Sequence, residues 1–282
     1  MKSKFIISII VISVVISFLM LQIFLIQIPK NDLETSNELS KTKLDMPSLF
    51  DVYGFGENYE IKDGKKVWNE PKFELNPENG AIYQELYYDS KDNTVIIYPT
   101  FTATAYGEPG FYSFFRGDCD EKCLTVELDS EPYLDFVASG NGYQVLKLLG
   151  YPIITDIDVD KNPEILEKYD KIILLHNEYV TKEEFDAITS HPNVIYLYPN
   201  ALYAEVESDY SDNTITLIRG HNFPESDIFN GFDWKFDNSI FEYDIDCKDM
   251  QFERVKNGWM LNCYPEKPIH QSKILLEMIK NF

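Results

Sequence analysis

The stretch "KIILLHNEYVTKEEFDAI", Lys171 to Ile188, decides the fold. Ile172 to Leu175 is wholly apolar and too short for a helix, which suits a strand buried on both faces. Thr181 and Glu184 match the Thr-x-x-Glu capping box, so a helix starts at once. Between the two lie His176, Asn177, Glu178 and Tyr179, where packing needs only a short turn. Working outward, "NTVIIYPTFTATAY" (Asn93–Tyr106) reads as a β-branched, aromatic strand and its exit. "NGYQVLKLLGY" places Val145, Leu148 and Leu149 at helical spacing and stops at Gly150. "PIITDIDV" reads as a strand, "NPEILEKY" as a short helix with Pro163 in its first turn, and "NVIYLYP" as another strand. Strands alternating with short helices predict an α/β fold, a mostly parallel flavodoxin-like sheet flanked by helices. The hairpin in "YAEVESDYSDNTITLIRGH", a second one around "NGWMLNC" and a final helix in "HQSKILLEMIKNF" are additions to it.

The amino terminus reads differently. Phe5 to Ile28 carries no charge and is mostly Ile, Val, Leu and Phe. At 1.5 Å per residue it can cross a hydrocarbon layer of about 30 Å. Lys2 and Lys4 precede it, which keeps the first residues in the cytoplasm and exports the rest. A cleaved signal peptide would have a shorter apolar run ending at small residues, whereas "QIPKND" follows here. The expected order is a cytoplasmic tip (1–4), a membrane anchor (5–28), a polar stem (29–75) and an extracytoplasmic domain (76–282). Export agrees with four cysteines, for which proximity favours Cys119–Cys123 and Cys247–Cys263. The second pair closes a loop of about 15 residues, worth about 3 kcal/mol in the chain-entropy model. Zinc is the rival use, but exported thiols oxidise and the second pair is spread too widely for a zinc ribbon. With 25 basic and 47 acidic residues the net charge is −22, which disfavours nucleic acid as a partner.

In open parallel sheets ligands bind beyond the carboxyl ends of strands, where His176–Tyr179 falls. The following helix amino terminus favours negative charge there, both on Glu178 and as tyrosinate at Tyr179. The plainer reading is that Glu178 complements the helix dipole and Tyr179 packs. His221, in "RGHNFPE", is the second candidate proton carrier after His176, against the plainer reading of a surface-loop histidine. "DIDVDKNPEILE" puts Asp156, Asp158, Asp160 and Glu167 at EF-hand ligand positions, but Lys161 replaces the glycine that loop needs. A solvated strand end is expected there instead.

The segment around "GYPIITDIDVDKNPEILEKYDKIILLHNEYVTKEEFDAI" resembles the carboxyl-terminal domain of the N,N-dimethylformamidase large subunit. The likeness rests on Gly150-Tyr151, Thr155-Asp156-Ile157-Asp158, Tyr169, His176-Asn177-Glu178-Tyr179 and the later Asn200 and Tyr203. It covers roughly 143–207. The resemblance implies a class I glutamine amidotransferase-like fold and amide hydrolysis with one iron held by tyrosines and a glutamate. Tyr179 matches a metal-binding tyrosine, with Tyr151 and Glu178 completing the expected set and His176, Glu178 and His221 as acid–base candidates. The sequence departs from the amidotransferases in one decisive way: the turn after the strand has no Cys, Ser or Gly, which excludes a covalent nucleophile there. Val180 stands where the family has an aromatic residue. The second functional expectation is a non-catalytic surface module that binds a small molecule or a protein.

Overall fold

A computed structural model of the chain describes residues 40–282 apart from Asp63, Ser130 and Glu131. The expected tip and anchor, 1–28, lie outside the described residues.

The labelled strands are β1 (Thr94–Tyr98), β2 (Thr125–Glu127), β3 (Ile153–Thr155), β4 (Lys171–Leu174), β5 (Tyr179–Val180), β6 (Val194–Tyr196), β7 (Ala204–Asp209), β8 (Thr214–Arg219), β9 (Phe252–Val255) and β10 (Gly258–Leu261). The helices are α1 (Gly80–Leu86), α2 (Thr100–Ala105), α3 (Phe111–Phe115), α4 (Gly140–Leu148), α5 (Asp156–Lys161), α6 (Lys182–Ser190) and α7 (Lys273–Asn281). The main sheet has the order β9-β10-β6-β4-β1-β3 and is parallel throughout except for edge strand β9. Its apolar runs are buried on both faces, as doubly covered parallel sheets require. Ile96, Tyr98, Ile173 and Ile195 pack with α1, α4 and α7 on one face. Val95, Ile97, Ile172 and Leu174 pack with α5 and α6 on the other. The sequence places the α/β alternation correctly. The disulfide hairpin does more than close the chain, because β10 pairs with β6 and extends the sheet. Gly258 permits it: any Cβ there would sit 1.7 Å from the Val194 carbonyl oxygen.

A second sheet, β5-β7-β8-β2, stands at the carboxyl-terminal edge of the first. The residues expected as a turn, Tyr179 and Val180, form its edge strand, parallel to Ala204 and Glu205. Both are good strand formers and both are buried. The expected stem also ends earlier than 75. Phe50, Val52 and Phe73 are buried in the main core, and the Phe50 ring stacks on Tyr83 with centroids 5.3 Å apart. Cys119–Cys123 and Cys247–Cys263 are disulfides.

"TDIDV" is a helix start, not a strand end. Thr155 accepts from the Asp158 amide while Asp158 reaches back to the Thr155 amide, a capping box that outweighs the apparent alternation of Ile157 and Val159. Asp158 is consumed by that cap, so no EF-hand loop forms. Asp156 turns inward and accepts from the amides of Phe101 and Ile157 at 2.8 Å each. Glu184 is also fully buried, and neither carboxylate oxygen has a hydrogen-bond partner among the described residues. Burial pushes both carboxyls well above their ordinary range, and the charges of Asp156 and Asp160 push Glu184 further. Asp156 keeps the two backbone donors that favour its charge, so the retained proton belongs on Glu184.

Helix α4 begins at Ser139 in the left-handed region, which supplies no side-chain cap. Its free amides are met instead by Glu266, which accepts from Asn141 at 2.9 Å and Gly142 at 3.0 Å and from the Tyr198 hydroxyl. Glu266→Ala leaves these buried donors unmet and is expected to lower stability by roughly 1–3 kcal/mol, read by urea unfolding. Glu184 gives a pH test. A raised folded-state pKa stabilises fully below the unfolded value, near 4.3 for Glu, and that stability is lost as pH rises through the folded value. Glu184→Gln should therefore gain on the native protein as pH rises above about 4, by up to about 1.4 kcal/mol per pH unit. Parallel stability–pH curves for the two proteins would contradict this.

Candidate functional site

The carboxyl ends of β1 and β4 deliver the site. After β4 the chain passes Leu175 to Glu178, and the Thr102 hydroxyl of α2 accepts from the amides of Glu178 (2.9 Å) and Tyr179 (3.1 Å). The Glu178 carbonyl accepts from the amides of Tyr203 and Ala204, 2.9 Å each. This backbone grip fixes a carboxylate with no solvent exposure. Its Oε1 accepts from His221 Nε2 at 2.6 Å and its Oε2 from the Tyr106 hydroxyl at 2.9 Å. Burial alone would raise its pKa, but the His221 hydrogen bond, the two nearby imidazoles and the Tyr106 hydroxyl hold it below the ordinary carboxylate value.

His221 is held from several sides. Its ring stacks on Tyr179 (5.3 Å, 15°) and meets Tyr203 edge-on at 4.7 Å. Its backbone lies in the left-handed region at φ 53, and Asn222 follows at φ 64. Such conformations in non-glycine residues persist where surrounding contacts over-determine them. His221 comes from the loop after β8, so the expected pairing of that loop with the strand-end motif is present in space. His176 lies beside it. Its Nδ1 is 2.7 Å from the Val137 carbonyl, which assigns the proton there. Nε2 is buried, without a hydrogen-bond partner and 3.6 Å from Glu178 Oε2.

Tyr179 and Tyr151 are placed otherwise than expected. Tyr179 is fully buried and its hydroxyl is 3.4 Å from that of Tyr112. Burial, with the Glu178 charge second, drives its pKa well above the ordinary value, opposite to the tyrosinate expected from the helix terminus. The helix field is weaker than the cost of desolvating a phenolate. Tyr151 precedes β3 and so occupies the opposite edge of the sheet, its ring 5.3 Å from Tyr88. The set Tyr179, Tyr151 and Glu178 is not assembled.

A cavity of about 510 Å³ opens over His176, His221, Tyr106 and Glu242. Among the described residues no group of three His, Cys, Asp or Glu side chains is placed to hold a metal. An ion here would have to draw on a phenol. Glu178 Oε2, the Tyr106 hydroxyl and the orphaned His176 Nε2 supply that mixture, and hard oxygens with one imidazole suit iron. Tyr106 keeps its proton in the structure, because burial and the Glu178 charge raise its pKa well above 10; an ion would take that proton's place. Comparison with known protein families and with curated proteins gives no match.

Sequence reasoning missed Tyr106 and Glu242. Tyr106 ends the short helix α2 that leaves the carboxyl end of β1, so the rule that ligands gather at strand carboxyl ends points to its neighbourhood. Glu242 lies in an irregular loop with no periodicity to mark it. The other two histidines are structural: His191 bonds the carbonyls of Tyr169 and Asn193, and His270 is buried against Phe73. Burial lowers the pKa of His270 to about 4.

His221→Leu leaves the Glu178 charge without its strongest partner and should cost roughly 3 kcal/mol at neutral pH. The sign in acid follows from the lowered pKa of Glu178. That contribution is present above the unfolded value, near 4.3, and is lost as pH falls through the folded one. The variant should therefore differ most from the native protein at neutral pH and converge with it in acid, as measured by urea unfolding at several pH values.

Proposed function

We propose that the chain is a membrane-anchored, extracytoplasmic hydrolase of amide C–N bonds, on a domain like the carboxyl-terminal domain of the N,N-dimethylformamidase large subunit, with a glutamine amidotransferase-like fold. The observation that carries this reading is the buried, ionised Glu178, bonded by His221 and Tyr106, which both line the cavity, with the unpartnered Nε2 of His176 3.6 Å from it. A desolvated carboxylate surrounded by proton carriers is the arrangement that acid–base chemistry needs.

Glu178, Tyr106 and His176 are the residues that would hold iron. Bound iron would polarise the amide carbonyl and acidify a water. The chain's own groups do the rest. His221, one-fifth exposed to the cavity, accepts the proton shed by the attacking water and returns it to the departing amine. Glu178 stabilises the imidazolium formed in between and fixes the ring's orientation. The Val137 carbonyl holds His176 Nδ1 at 2.7 Å, which leaves Nε2 turned toward Glu178. With no nucleophilic side chain in the turn, water attacks directly. The second reading, a non-catalytic module binding a small molecule or surface protein, is favoured by the apolar rim of the cavity. The segment 5–28 supplies the attachment to the membrane, and a net charge of −22 argues against nucleic acid as partner.

Elemental analysis of the purified full chain tests the hydrolase reading. About one iron per chain is expected, lost in Glu178→Gln and Tyr106→Phe, together with a fall of about 10²-fold or more in amine release from a formamide. A metal-free chain that releases no amine would overturn it.

A further inference from the structure

The cavity lined by His176 and His221 contains a carboxylate that nothing above has used. Glu242 follows the turn Ser239–Phe241 and is half-buried at the cavity wall. Its side chain bonds that of Asn200, and burial, followed by the Glu178 charge, raises its pKa. No Lys or Arg lines the cavity, and Glu242 has no ion pair among the described residues. What surrounds it is aromatic: Tyr112, Tyr203, Tyr243 and Tyr264 all contribute to the walls. His176 and His221 also line the cavity, but neither forms an ion pair with Glu242, and a carboxylate among tyrosine rings attracts a positive ligand and repels a negative one. Cations over aromatic rings gain about 0.5–2 kcal/mol each, and quaternary ammonium groups are recognised this way.

The mouth of the same cavity adds a second requirement. Ile240 and Tyr243 are 83% and 84% exposed, and Phe136 and Ile245 beside them are 44% exposed each. Exposed apolar side chains gathered on one rim mark a surface that a ligand covers. About 510 Å³ is room for a molecule of drug size.

We propose that the cavity selects an N-alkylated ammonium compound carrying an apolar group, with the cationic nitrogen between Glu242 and the tyrosine walls and the apolar group on Ile240 and Tyr243. This rests on the cavity being a ligand site, and on neither iron nor hydrolysis. Titration calorimetry of the full chain with choline, its neutral isostere 3,3-dimethylbutan-1-ol and the anion 3,3-dimethylbutanoate tests it. Saturable one-site binding of choline is expected, about tenfold or more tighter than the alcohol, with no binding of the anion. Glu242→Gln should shrink the choline preference to under about threefold. Replacing one N-methyl of choline by benzyl should tighten binding about fivefold, and Tyr243→Ala, an exposed rim change that leaves the core intact, should abolish that gain. Equal affinity for the three probes, or no saturable binding of any, overturns the proposal. A metal-free chain that releases no amine yet keeps the choline preference would sink the hydrolase and leave this inference standing; formamide turnover without that preference would do the reverse.

Discussion

Everything at the carboxyl edge of the main sheet depends on keeping one negative charge, that of Glu178, out of water. An isolated carboxylate in such a place would simply take up a proton. Here Tyr106 and His221 each give it a hydrogen bond, and the amide of its own residue is tied to Thr102. These partners come from two separate parts of the chain, α2 with its exit and the loop after β8, and they meet at the β4 turn. The charge therefore acts as a fastener between the main sheet and the smaller sheet beside it. It also explains the tolerance of left-handed backbone at His221 and Asn222: the imidazole must reach inward, and the chain bends to let it.

Three further carboxylates are buried, and they are settled in different ways. Glu266 stands in for a missing helix cap and is met by two amides and a phenol. Asp156 takes two amides, and its neighbour Glu184 is left with none. A strongly acidic chain that buries acids needs such devices, because none of these three forms an ion pair among the described residues. Lys171 shows the complementary case. It is buried at the start of β4 and donates to the carbonyl of Lys280 at 2.8 Å, at the negative end of α7.

Much of this architecture could be read before any coordinates. The apolar run Ile172–Leu175, the Thr181 cap and the strand "NVIYLYP" fix the central crossover, since period and cap agree. The position of His176 and Glu178 beyond a parallel strand followed from topology alone, and proximity sufficed for both disulfide pairs. What failed had competing signals. "DIDV" alternates like a strand, yet its capping residues make a helix. Tyr179 sits before a helix dipole, yet side-chain desolvation decides its state. Phe50, Val52 and Phe73 lie in a polar stretch whose average hid three core residues. Tyr151 shared a motif with the site but not an edge of the sheet, and pattern matching carries no directional information about which strand end a residue occupies.

The Cys247–Cys263 bridge reaches further than its hairpin. Cys247 lies two residues beyond Ile245, the last apolar residue of the cavity mouth, and the Tyr264 amide donates to the Asp244 carbonyl beside it at 2.9 Å. The sulfur link thus moors the free end of that rim to a strand of the central sheet. Asn238, which donates to the Leu261 carbonyl at 2.9 Å, and the Lys267–Asp246 ion pair at 2.7 Å hold the same segment alongside the sulfur link. Two parts of the chain that no hydrogen-bonded ladder joins, the rim segment and the end of β10, are thereby held together by a covalent bond.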